Sequence, residues 1–261
     1  MSCANRRRTL ALLLGGGCAA LLPALAGAQL ADTVPRIRPA VVAVGTFMAN
    51  RNPSFRFLGT GFAVGDGRLI ATNAHVIPDV LDSARMETLA IAVGNAQGGS
   101  VRRAQVAASD RGRDLAVLRI DGEPLPVLTL AGADNVREGQ DIAFTGFPIG
   151  NALGFSPVTH RGIIAAITPI GIPQASSRDL NPALIRRLGG DRFEIYQLDA
   201  TAYPGNSGSP VYDPGSGEVI GIVNMVFVKS TKESVLSDPS GISYAIPVSY
   251  LRAMLASLRN Y

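Results

Sequence analysis

Cysteine is nearly missing from this chain: Cys3 and Cys18 are the only two, and both stand close to the N-terminus. Histidine is as scarce, with His75 and His160 alone. Charged residues make up only 17% of the chain, and no basic run carries interleaved aromatics, which argues against a nucleic-acid partner. The one long apolar stretch, Leu10 to Leu25, is rich in Ala and Gly, contains Pro23, and is short for a membrane span.

That stretch follows Arg6-Arg7-Arg8 and ends in Ala26-Gly27-Ala28, the small residues of a cleavage site. Residues 1–28 therefore read as a secretory signal peptide rather than a membrane anchor, and the protein as periplasmic or secreted, with no membrane attachment after cleavage. A lipoprotein anchor at Cys18 fits less well, because apolar residues continue past it. Arg7-Arg8-Thr9-Leu10 suits the twin-arginine route as well as the general one. Cleavage removes three arginines and no acids, so the formal charge falls from +4 to +1. It also removes both cysteines, and with them any disulfide, thiolate metal site or cysteine nucleophile. Two histidines alone make a metal-dependent hydrolase a poor reading, so neither metal nor cofactor is expected.

What is present is glycine (29) and proline (17) set between short apolar runs. Residues 29–38, with Pro35 and no clear period, read as a loose N-terminal arm. Strands are expected at 41–47, 59–64, 68–72, 89–93, 101–108 and 115–120, with Gly65-Asp66-Gly67 as a hairpin loop. Residues 121–140 look like a crossing between halves, and a second set is expected at 141–147, 158–167, 193–200, 218–228 and 241–246. So many short strands imply an antiparallel sandwich or barrel. Asn181-Pro182 to Gly189 reads as a helix within a longer excursion, 171–192, and a C-terminal helix is expected over Pro247 to Arg259, with Val248, Leu251, Leu255 and Leu258 on one face. The domain reading is 1–28 signal peptide, 29–38 arm, 39–130 first half and 131–261 second half with the helix.

Three residues suggest chemistry. Ser207 lies in Thr201-Ala-Tyr-Pro-Gly-Asn-Ser-Gly-Ser-Pro210, where Gly205 and Gly208 free the backbone for a ligand's close approach. Such clusters also mark ordinary turns. His75 follows a strand in Ile70-Ala-Thr-Asn-Ala-His-Val76. Asp114 precedes Leu115-Ala-Val-Leu118, which carries it inward, where an ionised carboxylate needs a partner. That partner is a histidine Nδ1–H or, in the ordinary alternative, Arg111, Arg113 or Arg119.

In order and local sequence, His75, Asp114 and Ser207 resemble the chymotrypsin-like serine peptidases, and in particular their bacterial high-temperature-requirement (HtrA/Deg) branch. Gly59-Thr-Gly-Phe-Ala-Val, Ile70 to Val76, Arg113 to Leu118, Asp199-Ala, Pro204 to Gly208 and Gly241 to Pro247 carry the resemblance, over about residues 35–259. It implies an all-β fold of two antiparallel six-stranded β-barrels with a C-terminal α-helix, acting on polypeptide substrates by peptide-bond hydrolysis through a covalent acyl-enzyme. It implies His75 as base, Asp114 as its orienter and Ser207 as nucleophile, with an oxyanion hole from the N–H groups of Gly205 and Ser207. It places the substrate pocket at Thr201, Asn224 and Val226, uncharged and suited to a small or medium apolar residue. His160 has no motif partner and is expected on the surface or in the substrate cleft, without a catalytic role.

The chain also departs from the branch. It ends too soon for the C-terminal PDZ domain of many relatives, and Ser209 replaces a second glycine, so that Gly205 to Pro210 looks nearer to the bacterial glutamyl endopeptidases of the same fold. The alternative function is a catalytically idle relative that binds peptides or unfolded chains, with 171–192 or 229–240 closing the cleft. The oligomeric state is not legible in the sequence.

Overall fold

The structure, a computed structural model, describes residues 25–94, 99–132, 135–148, 156–169, 193–224 and 242–258. β1 (Val41–Phe47) shows how the halves are built. Val42 and Val44 pack with Ala63, Ile70 and Leu118 in one core, while Val41 and Ala43 join a second core that includes Phe144, Tyr212 and Val223. A strand buried on both faces needs no polar alternation, and its sequence has almost none.

β1 pairs with β2 (Phe55–Val64) and β4 (Thr88–Val93). With β3 (Leu69–Thr72), β5 (Ser100–Asp110) and β6 (Leu115–Ile120) they close an antiparallel barrel in the order β1-β2-β3-β6-β5-β4. The second barrel comprises β7 (Asp141–Gly146), β8 (Val158–Pro169), β9 (Glu194–Asp199), β10 (Pro210–Tyr212), β11 (Val219–Asn224) and β12 (Ile242–Pro247). Its order, β7-β8-β9-β12-β11-β10, repeats that of the first. The chain has no sequence repeat to announce this duplication. The crossing runs from barrel to barrel through backbone bonds: Leu128 N–H donates to Ala63 O, and Ala131 N–H donates to Val219 O.

The C-terminal helix, α2 (Val248–Leu258), buries Val248 and Leu251 as its spacing predicts, and Arg252 Nη1 donates to Ala131 O on the crossing. The N-terminal arm is a correction. Leu25–Ile37 is a helix, α1, rather than a loose segment. Leu30 packs on the core, Thr33 and Ile37 are buried, and Thr33 Oγ1 donates to Gly215 O. The docked positions 30, 33 and 37 follow helical spacing. The polar Thr33 hides the stripe in the sequence, and Pro35 is tolerated on the exposed face. The helix expected at 181–189 lies outside the described residues, as does the end of the strand expected at 218–228. Among the described residues no helix is long and apolar enough to cross a membrane.

Candidate active site

His75 and Asp114 meet because of strand register. β3 and β6 are antiparallel with Thr72 opposite Ala116, so the residues just beyond those strand ends face one another. Ala74–Val76 then turns as a single 3-10 helix. His75 Nδ1 lies 2.7 Å from Asp114 Oδ2, and His75 N–H donates to Asp114 Oδ1 at 2.8 Å. Asp114 O accepts from Ala74 N (3.2 Å) and Asn73 Nδ2 (3.1 Å). A third donor to the carboxylate comes from the other barrel: Asn224 Nδ2, 2.8 Å from Oδ2. Asp114 is 2% exposed. Burying its charge costs several kcal/mol, offset only by close, well-aimed donors. The alternative arginines are engaged elsewhere: Arg111 with Asp79, Arg113 with Asp110 and Arg119 with Asp66.

Ser207 stands in the loop between β9 and β10. Gly208 N–H donates to Val223 O, and Val223 N–H donates to Ser209 O, extending the β10–β11 ladder to the loop. Asn206 N–H donates to Tyr203 O, and Ser209 N–H donates to Asn206 O. Gly205 and Gly208 take φ of +102° and +87°. A Cβ on Gly205 would overlap Phe147 O, and one on Gly208 would overlap Thr60 O. The loop is docked on the first barrel as well. Thr60 N–H donates to Ser207 O at 2.8 Å, and a Cβ at Gly59 would lie 2.7 Å from Val76 Cγ2 and 3.1 Å from Ser207 O. This brings the Ser207 backbone beside the His75 turn. No hydrogen bond joins Ser207 Oγ to His75 Nε2 among the described residues. The N–H groups of Gly205 and Ser207 are likewise uncommitted among the described residues.

Thr201 is half-buried in the same loop. Asn224, expected on the pocket wall, is fully buried with its amide turned to Asp114. Val226 lies outside the described residues. His160 on β8 is half-buried, stacked on Phe144 at 4.8 Å and tilted against Tyr203 at 5.9 Å, with Nε2 buried and unpartnered. Burial holds its imidazole below the ordinary value of 6.5. Sequence reasoning missed the part played by Thr60. It sits inside the Gly59-Thr-Gly segment already singled out, but its contacts with Gly205 and Ser207 lie more than a hundred residues away.

The fold, two closed six-stranded antiparallel barrels with a C-terminal helix, is that of a chymotrypsin-like peptidase domain. Residues 59–222 match the family model described as a trypsin-like peptidase domain, and the chain belongs to that family. Its relatives include HtrA/DegP serine endoproteases. It is 31% identical over 205 residues to a protein of Halomonas elongata named probable periplasmic serine endoprotease DegP-like, covering 78% of this chain and 36% of the relative. It is 30% identical over 237 residues to serine protease HTRA1 of Xenopus tropicalis, covering 88% of this chain and 43% of the relative. The crystal structure of the serine endoprotease from Yersinia pestis superposes with a TM-score of 0.60 at 29% identity, covering 88% of this chain and 66% of that one. The chain thus spans less than half the length of those two curated relatives.

Proposed function

We propose that this chain is an exported serine endopeptidase in which His75, Asp114 and Ser207 act together. The observation that carries the reading is the buried Asp114 carboxylate held 2.7 Å from His75 Nδ1, at a turn against which the Ser207 backbone is docked. Asp114 fixes the tautomer that presents Nε2 to solvent and substrate. His75 takes the Ser207 proton as Oγ attacks the scissile carbonyl, then delivers it to the leaving amine. The charge developing on the carbonyl oxygen is met by the N–H groups of Gly205 and Ser207, and the loss of one such donor costs about 10²–10³ in rate. Water then releases the acyl group by the same route. No cofactor or metal enters these steps. Thr201 offers no carboxylate to a Lys or Arg side chain, which supports cleavage after small or medium apolar residues. Residues 1–28 serve as the export signal.

The open Ser207–His75 hydrogen bond is the one observation favouring a catalytically idle, peptide-binding relative. Such bonds are often long without substrate and tighten when it binds. A fluorophosphonate probe and a casein digest decide between the readings. Wild type is expected to be labelled at Ser207 and to cleave casein, and Ser207→Ala to do neither. Casein cleavage that survives in Ser207→Ala would remove Ser207 from the mechanism, and an unlabelled, inactive wild type would favour the idle reading.

A further inference from the structure

Of the first barrel's residues, Thr60 is tied most closely to the Ser207 loop. It is fully buried in β2. Its Oγ1 donates to Gly205 O at 2.7 Å and accepts from Phe147 N at 3.1 Å. Its N–H donates to Ser207 O at 2.8 Å. Its carbonyl accepts at 2.7 Å from the hydroxyl of Thr72, three residues before His75. One residue therefore touches both donor-bearing residues of the loop, the β7–β8 connection and the end of the strand that leads to His75.

We propose that Thr60 is a positioning residue whose hydroxyl sets the orientation of the oxyanion-binding backbone, a role that rests on the peptidase reading of Ser207. Backbone donors stabilise a developing oxyanion only if they are held in place before the reaction. The N–H groups of Gly205 and Ser207 have no partner among the described residues; the peptide carrying the Ser207 N–H is held through Asn206 O, which accepts from Ser209 N–H, and the Gly205–Asn206 peptide lies between the two donor peptides, so fixing its carbonyl, Gly205 O, fixes the turn that aims both. Thr60 ties the carbonyls of Ser207 and Gly205, the first through its backbone and the second through its side chain. The second tie matters more. Gly205 has no Cβ and sits at φ +102°, so its peptide planes turn most easily. The hydroxyl bridges the two elements, donating its one proton to Gly205 O and accepting from Phe147 N–H. Gly146 lies alongside: a Cβ there would overlap Ser209 Oγ and lie 3.0 Å from Thr60 Oγ1, so this end of β7 leaves room for the hydroxyl only because it carries no side chain.

Thr60→Val nearly preserves shape and keeps the backbone bond to Ser207, while removing the tie to Gly205. The readout is the second-order rate of Ser207 labelling by a fluorophosphonate, whose phosphoryl oxygen occupies the oxyanion site, per molecule folded by thermal unfolding. Thr60→Val is expected to label about tenfold more slowly, a smaller loss than deleting a donor outright, with slower casein cleavage in proportion. Thr60→Ser, which keeps the hydroxyl, is expected to label at close to the wild-type rate. Thr60→Ala is the second hydroxyl-free variant, so one folded member of the pair suffices. A purely structural role would lower the unfolding temperature and leave the rate per folded molecule unchanged, and that result overturns the proposal. A wild type that takes no label at Ser207 defeats the peptidase reading itself, whereas a labelled wild type matched by Thr60→Val defeats only the role of Thr60.

Discussion

Asp114 adopts φ +57°, a left-handed conformation that costs a non-glycine residue about 1 kcal/mol or more. The conformation persists because both ends of the residue are held: its carbonyl by Asn73 and Ala74, and its carboxylate by His75 and Asn224. The Asn224 bond is the one that crosses barrels. Asn224→Ala would leave a buried charge one donor short, a loss of about 1.5–3 kcal/mol in hydrogen-bond terms. The expected outcome is a fall of about tenfold in the rate of casein cleavage with the fold intact, read by digestion assays beside circular dichroism. Unchanged cleavage would mean that His75 alone keeps the carboxylate in place. The His75–Asp114 pair was legible only through the resemblance, because the residues alone left the carboxylate open to Arg111, Arg113 or Arg119. The Asn224 bond was not, since it joins residues 110 apart and an asparagine ending an apolar strand carries no signature of its target.

At the scale of elements, Glu87 ties together segments that pairing alone leaves separate. Thr46 Oγ1 on β1 donates to Glu87 Oε1 at 2.6 Å, Asp82 N–H donates to Oε2 at 3.2 Å, and Arg51 Nη1 in the β1–β2 connection donates to Oε1 at 2.8 Å. These bonds, led by that from Thr46 and aided by the nearby Arg56 charge, hold the carboxyl down at about 2, against an ordinary value of 4.5. A carboxylate with a depressed folded value stabilises the fold above its unfolded value, and that stability is lost as the pH falls through the folded one. Urea midpoints are therefore expected to drop between pH 4.5 and 2, and Glu87→Gln to flatten this part of the profile while lowering stability at neutral pH. An identical acid profile in the variant would remove Glu87 from the account. Helix α1 marks the limit of pattern reading at this scale. Its docked stripe runs through a threonine, and its proline points the other way, so tertiary packing made a helix where local signals gave an arm.

At the scale of the whole molecule, two barrels with one strand order share a core that runs from Val41 and Phe62 of the first to Val223 and Leu251 at the second. The two-barrel architecture was legible because alternating short strands and turn residues are local signals, and because the motifs occur in the order the resemblance requires. The duplication was not, since topology repeats here without sequence. The proposed export signal makes a prediction at this scale. The docked residues Leu30, Thr33 and Ile37 all follow Ala28, so cleavage there leaves them in place. Intact mass of protein recovered from outside the cytoplasm is expected to fit a chain beginning at Gln29, and a mass retaining residues 1–28 would refute the processing.

The division of the site between barrels also has a temporal side. Synthesis makes His75 and Asp114 long before Ser207, and Asn224, which completes the carboxylate's donors, comes later still. On the proposed mechanism, a ribosome-bound chain that has folded only its first barrel holds the base and its orienting carboxylate but no nucleophile. The proposed proteolysis would thus wait for the second barrel to follow the first from the ribosome.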